Sequence, residues 1–547
     1  MSTPDLAAPA PSDQVVVDAA PSEHAARRRT VAIISHPDAG KSTLTEALLL
    51  EAQRIHEAGA THGKRGRPAT VSDWMEMEQS RGISISSAAV QCRIDDVLVT
   101  VVDTPGHADF SEDTFRVLSA VDAVIMLIDA AKGVEAQTRQ LFTACAARGL
   151  PVVTFVNKWD RPGLDALALL EEVEATTGLV PTPLLWPVGV AGELHGLLDV
   201  TTGAPLAVTR PQHAGERAVH TPVSHPDAER SWGAGWTSCL EEVALLRANG
   251  QVHDQELFVG HASTPVLFGA ASLGIGIRTL LEVLRDLVPP PQPRRDVGGT
   301  PVALDAPFTG YVFKVQSGMN SAHRDRFAYV RTCSGRFDTA MTLQHPRTGR
   351  TLTAKYAQSV FGQRREALLE AWPGDVFGLV HGGQLQPGDT IRAVSSRAVY
   401  PGMPRFDPTS FVSVGPVDSS RHKQFHRGLE LLDAEGTIQL MHSTARGPQN
   451  PVLGAVGVLQ FEVAADRMER EYHCPVVVSP LPFTRALAVP GHAHEVVPAG
   501  RDREILTRSD GQDFLLVSDE HAARALRRRY PRLWETAGEG APEAGPG

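Results

Sequence analysis

The 547-residue chain is poor in cysteine: Cys92, Cys145, Cys239, Cys333 and Cys474 are scattered, odd in number, and form no C-x-x-C pair. A disulfide-stapled scaffold is thereby excluded, and reduced thiols in a cytoplasmic protein are expected. Long apolar runs are also missing. None reaches the roughly 18 residues needed to span a bilayer, and the best candidate, residues 121–131, carries Asp122 and Asp129. No membrane partner is expected. The first 26 residues lack the apolar core of a secretory signal and are rich in Ala, Pro, Ser and Asp. A basic excess is absent too, the formal net charge being −11. That balance argues against DNA as a partner and against loose RNA binding by the whole surface, while leaving local RNA contacts open. Global disorder is excluded by a composition of 42% apolar and 21% charged residues.

What is present is an alternation of strands and helices. Short apolar, β-branched runs at residues 30–35, 98–102, 123–129, 151–156 and 265–268 read as buried strands. Helical composition follows them at 42–52, 135–148, 164–177 and 279–287. This pattern predicts an α/β domain with a mostly parallel sheet, whose ligands sit at the carboxyl ends of the strands. A polar, less regular stretch at about 195–262 reads as an insertion within that domain. The run Pro289-Pro290-Pro291-Gln292-Pro293 opens a semi-rigid linker. The expected division is a disordered leader at 1–27, the α/β domain at 28–290, and a linker at 291–304. An all-β barrel at 305–397, a second linker at 398–408, an α+β domain at 409–535 and a disordered tail at 536–547 complete it. Arg27, Arg28 and Arg29 close the leader, as a solvated run or as a contact for an anionic partner.

Three motifs carry chemistry. Ser35-His36-Pro37-Asp38-Ala39-Gly40-Lys41-Ser42 matches the phosphate-loop pattern, with Ser35 where the first glycine belongs. Its backbone N–H groups and the helix start at Lys41 would hold phosphates. Lys41 would reach the β- and γ-phosphates, and the Ser42 hydroxyl would ligate Mg²⁺. Asp103-Thr104-Pro105-Gly106-His107 ends a strand. Asp103 suits the Mg²⁺ shell through water, Gly106 N–H suits the γ-phosphate, and His107 suits an attacking water. Asn157-Lys158-Trp159-Asp160 ends another strand. The Asp160 carboxylate can accept guanine N1–H and N2–H₂, which adenine does not offer, so the pocket would discriminate strongly. Asn157 would brace the loops and Lys158 would lie along the base. Backbone N–H groups at Ala270 and Ala271, after the strand at 265–268, are candidate donors to guanine O6. Between the first two motifs, a hydroxyl at Ser84 would complete the Mg²⁺ shell, although an ordinary surface helix and strand explain residues 73–86 equally well. The order of these motifs points to GTP and GDP as ligands.

The motifs Ser35–Lys41, Arg81-Gly82-Ile83-Ser84-Ile85 and Asp103–His107 resemble those of the translational GTPases. Within them, Ser72-Asp73-Trp74-Met75-Glu76-Met77-Glu78, His323-Arg324-Asp325-Arg326 and Gly454-Ala455-Val456-Gly457-Val458-Leu459-Gln460-Phe461-Glu462 resemble the bacterial class II peptide chain release factors. The resemblance runs from about residue 28 to 535. It implies ribosome-dependent GTP hydrolysis that releases class I release factors after peptide release, by a cytoplasmic monomer. It implies that His107 positions the hydrolytic water on the ribosome, behind an apolar gate of Pro37 and Ile83. Ser42 stands where threonine is more usual, Trp159 where a smaller apolar residue is usual, and Ala270 where a hydroxyl residue is common. Elongation factor G and ribosome-protection relatives are the alternatives, for whose further domains the stretch after Pro490 is short. A non-hydrolysing guanine-nucleotide sensor is a third reading, against which His107 argues. Arg421, His422, Lys423, His426 and Arg427 form a basic cluster, either a ribosomal RNA contact or a solvated helix face.

Overall fold

The computed structural model describes residues 19–52, 89–105, 107–209, 218–317, 326–359, 367–381, 385–443, 446–447, 449–491, 493–497, 500, 502–531 and 533. The switch segment with Ile83 and Ser84, Gly106, the residues 323–325 and the tail at 536–547 lie outside them.

The run Arg28–Ser35 is third in the order of a ten-stranded sheet, pairing in parallel with Val97–Asp103 on one side and Ala123–Asp129 on the other. Val152–Asn157, Ser263–Phe268 and Val180–Val188 continue the parallel part. Because both faces are covered, the strand alternates between two cores rather than between core and solvent. Val31 and Ile33 face the helices Lys41–Glu51 and Ile277–Asp286, whereas Ala32 and Ile34 face Ser111–Leu118 and Ala136–Ala146. The chain leaves Arg28–Ser35 toward one side and returns to the other. Its carboxyl end is therefore the topological switch point, where such sheets form a crevice.

The stretch at 195–262 is more regular than its composition suggests. Gly196–Asp199, Pro205–Thr209 and Val219–Pro222 extend the same sheet as antiparallel strands. The helix Ala234–Ala248 then buries Trp236, Cys239, Val243 and Leu246, a stripe at spacings of three and four. Scattered polar residues hid that stripe in the sequence. The expected leader needs correction at its end: Pro21–Ala26 is helical, with proline in the first turn. His24 stacks on Trp372 at 3.7 Å and Arg28 pairs with Asp375 at 2.7 Å, which fixes this turn against the β-rich domain. The expected linker at 291–304 is also docked. Arg294–Arg295 pairs with Pro301–Val302, and the Arg294 guanidinium lies 3.9 Å over the Tyr311 ring.

The β-rich domain holds a seven-stranded antiparallel sheet around Phe308, Val312, Val330, Leu343, Phe377 and Ile391. Its other face, with Tyr311, Phe313, Phe327 and Tyr329, packs against the nucleotide domain. Arg331 reaches across to Asp122 at 2.6 Å and to Ala120 O at 2.7 Å. A second seven-stranded antiparallel sheet forms the C-terminal domain, with His422–Glu435 and Leu459–Arg470 packed over Val412, Leu440 and Leu453. The part after residue 480, indistinct in sequence, supplies Arg485–Val489, Arg503–Arg508, Asp513–Val517 and the helix Glu520–Arg529.

Candidate nucleotide site

Four strand ends line the crevice: Ser35, Asp103, Asp129 and Asn157 are the last residues of their strands, and the Asp129 and Asn157 positions are paired. The phosphate loop leaves Ser35 and enters the helix Lys41–Glu51 at Gly40, whose φ of 98° suits glycine. Space also demands glycine there, since a Cβ would sit 2.6 Å from Asn157 Nδ2. Asp38 is left-handed as well, with φ 64°. Ser35 does not strain the loop; its Oγ donates to His36 O at 2.9 Å. Lys41 Nζ lies 3.0 Å from Asp103 Oδ1, and both groups are buried. Thr104 Oγ1 donates to Ile33 O at 2.6 Å and ties the second motif to the first strand.

His36 turns inward. Its Nδ1 lies 2.7 Å from Glu135 Oε2 and the ring is 1% exposed. Burial pushes its pKa below the ordinary histidine value; Glu135 opposes this and Lys132 assists it. His36 therefore anchors the loop to the residue preceding the Ala136–Ala146 helix, a role not legible from the motif.

On the base side, Asn157 Nδ2 donates to Ala39 O at 2.8 Å, and Asn157 Oδ1 accepts from Ala271 N at 2.9 Å. This side chain joins the phosphate loop to the turn after Ser263–Phe268. Lys158 Nζ donates to Asp38 O and to Asp129 Oδ2, the latter at 2.8 Å. Burial raises the Asp129 pKa, but the Lys158 ammonium and the Ala131 N–H outweigh it and hold the carboxyl below the ordinary range. Asp129 was missed in the sequence; its place at a strand end beside Asn157 was the available signal. Trp159 faces the core rather than the crevice, 1% exposed and edge-on to Phe268 at 4.8 Å. Its backbone N–H donates to Gly269 O at 3.0 Å, which fixes the loop at this residue. Among the described residues Asp160 Oδ1 is buried without a hydrogen-bond partner. Such an acceptor costs about 1–3 kcal/mol and calls for a donor from outside the chain.

The turn with Ala270 and Ala271 corrects one expectation. Ala270 N donates to Ile275 O at 3.1 Å, and Ala271 N donates to Asn157 Oδ1. Both N–H groups assigned to guanine O6 are thus engaged within the protein: that of Ala271 positions Asn157, and that of Ala270 closes the turn onto Ile275.

His107 is half-buried beyond the strand Val97–Asp103, and its Nδ1 accepts the Asp109 N–H at 3.3 Å. Pro37, the described half of the expected gate, lies on the loop between His36 and Asp38 and is half-buried. Among the described residues no helix is long and apolar enough to cross a membrane.

Residues 26–290 match the Elongation factor Tu GTP binding domain, and residues 307–394 match Elongation factor G domain 2. Residues 400–527 match the class II release factor RF3, C-terminal domain. Peptide chain release factor 3 of Synechococcus elongatus is 42% identical over 522 residues, covering 93% of this chain and 92% of its own. The chain belongs to the peptide chain release factor 3 family. The family member from Symbiobacterium thermophilum is 41% identical over 512 residues, covering 93% of this chain and 97% of its own. A crystal structure from Thermus thermophilus has a TM-score of 0.67 at 22% identity, covering 89% of this chain and 72% of that one. That likeness carries the fold alone. The family's function is that of a translational GTPase acting in termination, and the C-terminal match separates this chain from the elongation-factor alternatives.

Proposed function

We propose that this chain hydrolyses GTP when a bacterial ribosome engages it, and that the cycle drives class I release factors off the ribosome after peptide release. The observation that carries the guanine reading is Asp160 Oδ1, buried and without a hydrogen-bond partner among the described residues, in the same loop as the Asn157 brace. Guanine N1–H and N2–H₂ supply donors for that carboxylate. The chain is read as a cytoplasmic monomer whose nucleotide domain spans 28–290, followed by a β-rich domain at 305–397 and an α+β domain at 409–535.

The phosphate loop from Ser35 to Ser42 would wrap the phosphates, with Lys41 on the β- and γ-phosphates. Asp103 supports a place for Mg²⁺: its carboxylate is 2% exposed and faces Lys41. Mg²⁺ placed there would lie between that carboxylate and the phosphates that Lys41 engages. Ser42 and, through water, Asp103 would hold the ion, with Ser84 from the switch segment as a third group. Bound Mg²⁺ neutralises charge on the β- and γ-phosphates. His107 would orient the attacking water, with Pro37 and Ile83 as the apolar gate. The task is positioning and electrostatics; activation by a partner is on the order of 10⁵-fold in comparable GTPases, about 7 kcal/mol of barrier.

Steady-state GTP hydrolysis with and without purified bacterial ribosomes, with ATP as control, tests this reading. Strong stimulation with ATP inert is expected. In His107→Ala, GTP binding should persist and ribosome-stimulated turnover should fall by about 10²–10⁴-fold. Normal turnover in that variant would remove His107 from the mechanism.

A further inference from the structure

The Leu459–Arg470 helix of the C-terminal domain begins at Val458, which offers no capping side chain. The missing acceptor comes from the nucleotide domain: Leu459 N donates to Asp109 Oδ2 at 2.8 Å. The other oxygen, Asp109 Oδ1, lies 3.3 Å from His107 Nδ1, the nitrogen that also accepts the Asp109 N–H. With Nδ1 accepting, the neutral ring carries its proton on Nε2, away from Asp109. Gly457 makes the approach possible, because a Cβ there would meet Asp109 Cγ at 2.0 Å. Phe110, next in the chain, is buried against Val463 and Leu459 of the same helix.

We propose that Asp109 is a positioning residue, whose carboxylate caps the C-terminal domain's helix while its backbone N–H holds the His107 ring, so that docking of that domain sets the histidine's orientation. The inference rests on the role given to His107 above. A carboxylate at a helix N-terminus is favoured by the unpaired N–H groups and the dipole there. Undocking removes the N–H donor from Asp109 Oδ2 and frees the segment that carries His107. Domain position and catalytic geometry are then two readings of one contact.

The test uses full-length Gly457→Ala, Asp109→Ala and their double variant, with ribosomes and GTP. Gly457→Ala lies in the other domain and leaves the nucleotide pocket untouched. It should lower ribosome-stimulated kcat at least tenfold while the KM for GTP stays within twofold. Asp109→Ala should do the same, and the double variant should be no worse than either single one. Asp109→Asn keeps a good capping acceptor and should stay within threefold of the parent. A dye pair spanning the two domains should report their separation in Gly457→Ala without ribosomes, which also shows that the variant is folded. Parental kcat in Gly457→Ala, losses that multiply in the double variant, or an Asp109→Asn as weak as Asp109→Ala would each overturn the proposal. His107→Ala run in parallel distinguishes the two levels. If it abolishes turnover while Gly457→Ala and Asp109→Ala do not, only the positioning role falls. If it leaves turnover intact, the catalytic role falls and the positioning role with it.

Discussion

Replacing Asp160 by asparagine isolates the contact that selects the base. The aspartate's Oδ1 is buried with no hydrogen-bond partner among the described residues, and Arg161 Nε lies 3.9 Å from Oδ2. Bound guanine would supply two hydrogen bonds to an ionised acceptor, each contributing about 1.5–3 kcal/mol. Asparagine presents a neutral oxygen and an NH₂, which faces a donor on guanine with another donor. The loss should therefore approach both bonds, about 3–6 kcal/mol, or on the order of 10²–10⁴-fold in Kd for GTP. Xanthine carries a carbonyl where guanine carries its amino group, so Asp160→Asn should gain affinity for XTP as it loses GTP. The protein itself should not be destabilised, because the substitution removes a charge whose Oδ1 has no hydrogen-bond partner among the described residues. Titration calorimetry with GTP, XTP and ATP, alongside urea unfolding, measures each of these. A GTP affinity within threefold of the parent, or no gain for XTP, would refute the guanine contact at this residue.

Trp159→Ala should lower stability by about 3–5 kcal/mol, as loss of a buried aromatic does, because the ring packs on Phe268 rather than on nucleotide; an unchanged urea midpoint would oppose this. Stability should fall with acid through His36, whose pKa burial lowers. Its stabilising contribution is complete above the unfolded-state histidine value and is lost as pH falls through the lower folded-state value, because the unfolded chain takes the proton first. His36→Gln should flatten that part of the profile in urea midpoints measured between pH 5 and 8, and an identical slope would exclude His36. Lys423 and Arg427 are exposed on the His422–Glu435 helix, while Arg421 is held by Asp418 at 3.5 Å. Reversing both exposed charges should weaken ribosome binding and reduce its salt slope by about two phosphate contacts; an unchanged slope would assign them to a solvated face.

The nucleotide motifs were legible because each needs particular atoms at a strand end. Gly40, Lys41, Asp103, Asn157 and Asp160 could be assigned roles from chemistry and spacing, and the fold brings them to one crevice. Strand positions were readable for a related reason: runs such as Ala123–Asp129, buried along their whole length, need no tertiary context to be recognised. What stayed hidden depends on partners distant in sequence. Asp129 acquires a role only when Lys158 folds back on it. Trp159 shares the motif of the expected base contacts, but its own side chain points into the core with Phe268 and Trp186. Ala270 and Ala271 have backbone donors, but a linear reading cannot say where those donors go. The helix Pro21–Ala26 owes its place to Trp372 and Asp305, hundreds of residues away.

The Ser111–Leu118 helix shows how a nucleotide-dependent change at its start could move whole domains. It follows the His107 segment and is gripped from two sides. Asp113 meets Lys314 of the β-rich domain at 3.1 Å, and Arg116 donates to Glu435 O and Gly436 O of the C-terminal domain, each at 3.2 Å. Arg116 is itself paired with Glu112 at 2.7 Å. Buried charges of this kind contribute little net stability when paired, yet separating one from its partner costs about 3–5 kcal/mol. Gly436 adds a steric term, since a Cβ there would collide with the Arg116 guanidinium. A helix shift of even an ångström would stretch the Asp113–Lys314 pair and both Arg116 carbonyl contacts at once, while the Glu112–Arg116 pair moves with the helix. Intermediate positions are therefore poor, and the interface favours either full docking or full release. Packed interfaces with that property convert small local displacements into discrete domain movements, which is the behaviour a GTPase needs if one phosphate is to decide where its other domains stand.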